Sequence, residues 1–296
     1  MRLSLEFLGP PQLQLDEKPV TASRRAVVAL LAYLAVNDLS HPYQRYTREA
    51  LSALLWTDYD PSKALANLRH TLWEVNRLIG DGWIVGEHET LYLNPHANLT
   101  LDVKQFLSLT QQAARQPEPA LRIPLLLEAS KLYRADFLAG FGLREAINFN
   151  EWVSVEAQNL RRDFVSVLDM LVKDYSAIGQ SESAIPHAQR LLALDPLDEA
   201  AHSRLMELYV QIDQPSAALH QYQTLEKILR RELNLNPQPE THALYKKIRK
   251  GEFKPFSIEK KLGQVKKIVP KHNLPSHLTT FVGRGKEREA VTGLLA

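Results

Sequence analysis

Alternating apolar and polar residues open the chain and return near residue 90. The segments "RLSLEFLG" and "QLQLD" alternate with a period of two and are separated by Gly9, Pro10 and Pro11, so they predict two short antiparallel strands. A later stretch, "WIVGEHETLYLN", predicts a strand, a tip over residues 86–90 and a second strand. These strands lie on either side of a region whose apolar spacing is helical.

Three helices are predicted in this region. The segments "RRAVVALLAYLAVN" and "TREALSALLW" form the first two, and Thr47 is the expected N-cap of the second. The third covers residues 61–79, where Asp60 can cap the start, Pro61 fits the first helical position and Gly80 follows the end. Apolar side chains at steps of three and four predict its buried face, formed by Leu65, Leu68, Leu72, Val75 and Ile79.

A second row on the third helix steps in the same way and is expected to point away from the buried face. It consists of Lys63, Asn67, His70, Glu74 and Arg77, with Ala66 and Trp73 beside it and Arg69 nearer the buried face. Strands, three helices and a hairpin in this order predict a winged helix, whose last helix enters the DNA major groove. Asn67 can then pair with adenine, Arg77 with guanine or phosphate, and Glu74 with cytosine.

The charge balance of the first hundred residues argues against DNA binding. Residues 1–100 carry nine Lys and Arg against eleven Asp and Glu, and the predicted wing tip "GEHET" is acidic. Non-specific DNA binding depends on cations that neutralise phosphates, so this balance argues against strong binding of that kind. Two alternatives therefore stay open. In the first, the outward row of the third helix is an ordinary solvated face. In the second, the winged helix binds protein rather than DNA, and the chain serves as a scaffold built on the helical repeats described below.

The segment "LLWTDYDPSKALANLRHTLWEVNRLIG" resembles the effector domain of SARP-type bacterial regulators, whose fold is an OmpR/PhoB-type winged helix. The resemblance rests on "LLW", an acidic turn, the pattern A-x-A-N-L-R-x-x-L and a basic "NRLIG" end, and it covers residues 1–100. It implies binding to direct repeats in double-stranded promoter DNA and self-association there. The candidate DNA-binding residues are Lys63, Asn67, Arg69, His70, Thr71, Trp73, Glu74, Arg77, Arg48, His88 and Thr90. Glu74 and Asn76 depart from the family, whose helices are often rich in arginine here.

Residues 102–250 are almost free of strand patterns and contain a repeat of 34 residues. Leu171, Tyr175, Ile178, Gln180, Ala184 and Leu191 recur as Leu205, Tyr209, Ile212, Gln214, Ala218 and Leu225. This is the period of the tetratricopeptide helix–turn–helix unit, which must stack on neighbours to bury its apolar face. The predicted fold class is therefore mainly α with a small β component: a winged helix-turn-helix domain at 1–100 and a tetratricopeptide-like all-helical domain at 101–251.

Two blocks of the helical region carry a second resemblance. Residues 132–164 look like the entry, and "RRELNLNPQPETHALYKKIRKG" like the exit, of the bacterial transcriptional activator domain that follows the winged helix in the same family. The resemblance implies that this domain supports activation through protein contacts, with RNA polymerase or between copies of the chain. The expected function is thus a sequence-specific transcriptional regulator, and an activator.

The C-terminal segment changes composition. Residues 246–272 carry ten Lys and Arg against two acidic residues, so 252–272 is expected to be a basic linker or an accessory DNA contact. Residues 273–296 resemble the opening of a STAND-type ATPase domain through "FVGR" and a charged helix. The segment "GRGKE" lacks the spacing of a phosphate-binding loop, so ATP is expected only in a C-terminal part beyond these residues.

The sequence contains few signals for catalysis, metal binding or membrane insertion. The chain has no cysteine, which excludes disulfides and thiol nucleophiles, and its ten histidines show no metal-ligand spacing. No nucleophile-elbow motif, signal-peptide core or membrane-length apolar run occurs. The sequence is therefore expected to be non-enzymatic and cytoplasmic, without cofactor, metal or membrane contact.

Overall fold

The computed structural model describes residues 1–144 and 146–252, and this part of the chain is mainly helical with two small sheets. The predicted fold class is confirmed. The strands are β1 (Leu3–Glu6), β2 (Gln12–Leu15), β3 (Lys18–Val20), β4 (Tyr46–Thr47), β5 (Ile84–Glu87), β6 (Thr90–Leu93) and β7 (Leu99–Leu101). The helices are α1 (Arg25–Ser40), α2 (Arg48–Leu55), α3 (Pro61–Ile79), α4 (Asp102–Ala114), α5 (Pro119–Leu132), α6 (Ile147–Ala177), α7 (Ser181–Leu194), α8 (Glu199–Gln211), α9 (Pro215–Leu233) and α10 (Pro239–Arg249).

The N-terminal sheet has the strand order β3-β2-β1-β7. As predicted, β1 and β2 are antiparallel, with Leu3 opposite Leu15. The outer strands β3 and β7 were not predicted, and β7 runs parallel to β1 with Leu99 beside Leu3. Because β7 leads directly into α4, the first strand of the chain lies next to the start of the helical region.

The winged helix follows the predicted order of three helices and a hairpin. The hydroxyl of Thr47 accepts the backbone N–H of Ala50 at 3.1 Å, which confirms Thr47 as the N-cap of α2. The hairpin β5–β6 gains a third strand, because β4 pairs with β6 to give the order β4-β6-β5. Helix α3 packs on α1 and α2, and its opposite side is left exposed.

The 34-residue repeat corresponds to two helix–turn–helix units, α6–α7 and α8–α9. Leu171 and Leu205 are both buried on the first helix of their unit. Gln180 and Gln214 both precede the second helix as its N-cap residue. Equivalent sequence positions therefore occupy equivalent structural positions, as expected for a repeat whose units stack on one another.

One hydrophobic core joins the winged helix to the helical array. The carboxylate of Asp102 accepts the buried backbone N–H groups of Phe7 and Leu8 at 2.9 and 2.8 Å. The ring of Trp152 on α6 contacts that of Tyr33 on α1, with 5.0 Å between centroids. Gly9 allows the close approach of the loop before α6, since a Cβ at this position would lie 3.3 Å from the Cβ of Arg134. Residues 1–252 thus belong to one compact unit.

The basic linker predicted at 252–272 and the ATPase-like segment predicted at 273–296 lie outside the described residues, except for Glu252. Among the described helices, none combines the length and apolarity that crossing a membrane requires.

Candidate nucleic-acid interface

The ends of α3 are fixed by the residues predicted for them. Asp60 accepts the backbone N–H of Ser62 at 3.0 Å, Pro61 takes the first helical position, and Gly80 ends the helix with a φ of 86°. The hydrogen bonds from the Ser62 hydroxyl and backbone hold the pKa of Asp60 below its usual value. A residue with a Cβ would be strained at the Gly80 backbone conformation. The helix therefore presents the same 19 residues that the sequence predicted.

The buried face of α3 is rotated relative to the prediction. The fully buried side chains are Ala64, Leu68, Thr71, Val75 and Ile79, whereas Leu65 and Leu72 are only half-buried at its edges. Small side chains at the centre of a helix–helix contact let the two axes approach, and larger ones then lie beside the contact. Ala64 and Thr71 are the two small side chains on the buried face of α3.

This rotation corrects one candidate residue. Thr71 is 0% exposed, so its side chain is not available to DNA, and its hydroxyl has no hydrogen-bond partner within the described residues. It also moves the centre of the exposed face away from the predicted row. Ala66, Arg69 and Trp73 are exposed, whereas Asn67 and Glu74 are half-buried at one side. The expectation that Arg69 lies near the buried face is therefore wrong.

An aromatic and two basic side chains form a continuous strip on the exposed face. Trp73 is 55% exposed, and the guanidinium carbon of Arg77 lies 5.1 Å from the centroid of its indole ring. The ring of His70 meets the same indole edge-on, with 5.6 Å between centroids. A cation over an aromatic face is attracted by the negative face of the ring, so Arg77 is partly pre-positioned on α3. Lys63 is exposed at the first turn of the same helix.

Glu74 is bound within the protein. Its side chain is 11% exposed, and Oε1 accepts the hydroxyl of Ser23 at 2.9 Å. Its Oε2 makes no hydrogen bond within the described part, but lies 3.6 Å from Nε of Arg24 and 3.9 Å from Nδ1 of His70. The carboxylate thus ties α3 to the segment before α1, and the nearby Arg24 guanidinium partly offsets its charge.

The wing is a tight hairpin. Glu87 pairs with Thr90 across a two-residue turn, His88 adopts a φ of 49°, and the Thr90 hydroxyl donates to the Glu87 carbonyl at 3.0 Å. His88 is exposed at the tip, whereas Thr90 is half-buried. Arg48 begins α2 beside this tip, where its backbone N–H donates to the Glu89 carbonyl at 2.9 Å. The candidate DNA-binding residues Arg48, His88 and Thr90 are therefore neighbours.

The acidic charge of the wing is offset by an arginine that the sequence analysis missed. Arg45 pairs with Glu87 at 2.5 Å, and its guanidinium lies 5.0 Å from the centroid of the Tyr92 ring. The Tyr92 hydroxyl donates to Glu87 at 2.7 Å, and this hydrogen bond, with Arg45, lowers the pKa of Glu87. Arg45 and Arg24 are separated by 42 and 50 residues from the carboxylates they contact. Arg45 directly precedes β4, and the pairing of β4 with β6 brings it to the wing. Because this pairing was not predicted, the position of Arg45 could not be predicted either.

The described residues offer no cluster for metal chemistry. In residues 1–144 and 146–252, no three His, Asp or Glu side chains converge in the way that a metal ion requires. On α3 the arrangement instead consists of exposed hydrogen-bond donors and one exposed indole, with an arginine over its face and a histidine at its edge. A short hairpin lies beside this helix.

Comparison with known proteins identifies the family. The model of the bacterial transcriptional activator domain matches residues 101–249, about half of the chain. The chain belongs to this family. Together with its relatives, the match confirms the SARP-type resemblance and a role in transcriptional regulation.

The relatives of this activator-domain protein extend across the winged helix as well. Transcriptional regulatory protein MoaR1 of Mycobacterium tuberculosis is 27% identical over 259 residues, covering 83% of this chain and 79% of MoaR1. Transcriptional regulatory protein EmbR of the same species is 25% identical over 257 residues, covering 83% of this chain and 63% of EmbR.

A solved structure of Mycobacterium tuberculosis EmbR, in complex with a low-affinity phosphopeptide, has a similar fold. The TM-score is 0.64 at 22% identity, and the match covers 88% of this chain and 68% of that one. At this identity the likeness supports the arrangement of winged helix and helical array alone.

Proposed function

We propose that this transcriptional regulator binds promoter DNA sequence-specifically, with α3 in the major groove and the β5–β6 hairpin against the adjacent backbone. One observation carries the proposal. The exposed face of α3 presents Arg69, Trp73 and Arg77, whereas the neighbouring carboxylates of Glu74 and Glu87 are paired within the protein. The negative count of the first hundred residues therefore overstates the negative charge that DNA would meet at this surface.

The candidate DNA-binding residues fall into two groups, those suited to base edges and those suited to phosphates. Asn67 and Arg77 carry the side-chain groups that make two hydrogen bonds to adenine and to guanine, respectively. Lys63, Arg69 and His70 offer donors to phosphates, which fix the register of the protein but carry no sequence information. Arg48 at the start of α2 and His88 at the tip of the wing are the corresponding phosphate donors beside this helix. The proposed contact needs no metal or cofactor.

The helical array supplies the activating part of the proposal. Stacked helical repeats usually bind proteins through extended surfaces, and the family name refers to transcriptional activation. We therefore propose that the array contacts RNA polymerase and that two protomers lie side by side on direct repeats. Residues 252–272, if they contact DNA, would add phosphate contacts without specificity.

Fluorescence anisotropy on labelled DNA tests the proposal. The chain 1–296 is first used to select sequences from a pool of promoter fragments, and binding is then measured at 50 and 200 mM salt. Asn67→Ala and Arg77→Ala should each weaken specific binding about 5- to 150-fold if they read bases, corresponding to about 1–3 kcal/mol. Wild-type affinity should fall as the salt concentration rises, and the slope of log affinity against log salt should be proportional to the number of phosphates contacted.

Arg162→Ala is the matched control, because Arg162 is an exposed arginine on α6, in the array. It should bind as the wild type does. If no sequence is selected, or if Asn67→Ala and Arg77→Ala both bind as tightly as the control, α3 does not read DNA. A winged helix that docks protein, within a scaffold formed by the repeats, would then be the better account.

A further inference from the structure

Trp73 is unusual among the tryptophans of this protein. The chain contains four, all in the described part, and Trp56, Trp83 and Trp152 are buried or half-buried. Trp73 is 55% exposed at the centre of the outward face of α3. Single exposed apolar side chains are common on protein surfaces, but an indole at the centre of a proposed DNA-reading face needs a specific explanation.

The indole contributes little visible packing to the fold. Within the described residues, its ring contacts are with His70 and Arg77, which belong to the same helix. These two contacts lie on opposite sides along the helix and limit the rotamers of the indole. The ring is therefore held in an exposed position.

The chemistry of the major groove restricts what such a ring can meet. The base edges there carry hydrogen-bond donors and acceptors, and the C5-methyl group of thymine is the one apolar group that projects into the groove. Arg77 lies beside the ring and offers donors for an adjacent guanine or phosphate. Apart from its single N–H donor, the indole is apolar, so most of its exposed surface suits an apolar partner. Ala66, seven residues earlier on the same face, is also exposed and apolar.

We propose that Trp73 determines sequence specificity by packing its indole against the C5-methyl group of a thymine. This inference rests on the proposed function, since it requires α3 to lie in the major groove. It adds one base identity to the operator: a thymine next to the base or phosphate contacted by Arg77. A thymine methyl has about the size of one buried CH₂ group, so its contact corresponds to about a fourfold change in affinity.

Replacing thymine by deoxyuridine tests the inference, because it removes the methyl group and keeps every hydrogen-bonding atom. Each thymine of the selected operator is replaced in turn, and anisotropy is measured with the wild type and with Trp73→Ala. One replacement should weaken wild-type binding about fourfold and leave Trp73→Ala unaffected. Trp73→Ala should itself lose about tenfold in affinity for the unmodified operator.

Leu121→Ala is the matched control, because Leu121 on α5 is 56% exposed. It should keep the wild-type response to every deoxyuridine. If operator binding depends on Asn67 or Arg77 but no deoxyuridine position distinguishes the wild type from Trp73→Ala, the thymine contact is refuted and the proposed function stands. If no operator is selected at all, both fail together.

Discussion

Removing the carboxylate of Asp102 should destabilise the winged helix and the helical array together. Asp102 is 6% exposed and accepts backbone N–H groups of Phe7, Leu8 and Val103 at 2.9, 2.8 and 2.8 Å. In Asp102→Ala, the N–H groups of Phe7, Leu8 and Val103 lose their partner in a buried setting. Each orphaned group costs about 1–3 kcal/mol, or about 3–9 kcal/mol together, and the expected loss of unfolding free energy is at the lower end, about 3 kcal/mol.

The loss of unfolding free energy should stay at the lower end of this range for a physical reason. Burial raises the pKa of Asp102, against the opposing effect of the three N–H donors, so the carboxylate itself is held at some desolvation cost. Asp102→Ala removes that cost as well as the hydrogen bonds. Asp102→Asn keeps one acceptor oxygen but turns an amide N–H₂ towards a backbone donor, and it should cost about half as much.

Equilibrium urea unfolding measures both variants. Tryptophan fluorescence and far-UV circular dichroism should give coincident transitions, since residues 1–252 form one unit. Thr110→Ala is a suitable control, because within the described residues its hydroxyl donates to the Phe106 carbonyl of the same helix α4. A loss below about 1 kcal/mol for Asp102→Ala, or a larger loss for Asp102→Asn than for Asp102→Ala, would refute the reasoning.

Two further predictions concern charge. His202 is 2% exposed, with Nε2 3.1 Å from the Pro196 carbonyl, and burial lowers its pKa, so the unfolded chain binds the proton more readily. The free energy of unfolding should therefore fall as the pH drops from 7.5 to 5, by up to about 1.4 kcal/mol per pH unit from this group. The slope should be shallower in His202→Gln. Equal slopes for the two proteins in urea titrations would contradict this. At the wing, Glu87→Gln should free Arg45 and tighten DNA binding several-fold at low salt, with a steeper salt dependence, whereas Arg45→Ala should weaken it. Weaker binding by Glu87→Gln in anisotropy measurements would show that Arg45 does not face DNA.

Local signals made much of the fold predictable. The ends of α3 follow from Asp60, Pro61 and Gly80, each of which acts within one turn of its own position. The repeat was visible because equivalent positions of α6–α9 bury the same residue types. Strand β7 was not predictable in this way, because three residues carry too little pattern and its partner β1 lies 96 positions away in register.

The candidate interface was predicted less accurately than the fold. Apolarity alone chose Leu65 and Leu72 for the buried face, but α3 buries the smaller Ala64 and Thr71 fully and these two leucines only in part. Steric fit between helices is a property of the folded pair and has no signature in one sequence. The same holds for Arg45, whose contact depends on a two-residue strand.

The shared core has a consequence for how two copies would lie on one stretch of promoter. A DNA-binding domain on a flexible linker can occupy sites at many separations, because the linker absorbs the difference. Here the contacts of Asp102 and Trp152 join the array to the winged helix, with no linker between them in the described residues. If two copies bind adjacent repeats as proposed, the breadth of the whole unit, rather than that of the winged helix, limits how closely they can be spaced. The distance between half-sites in the operator would then reflect the shape of the array.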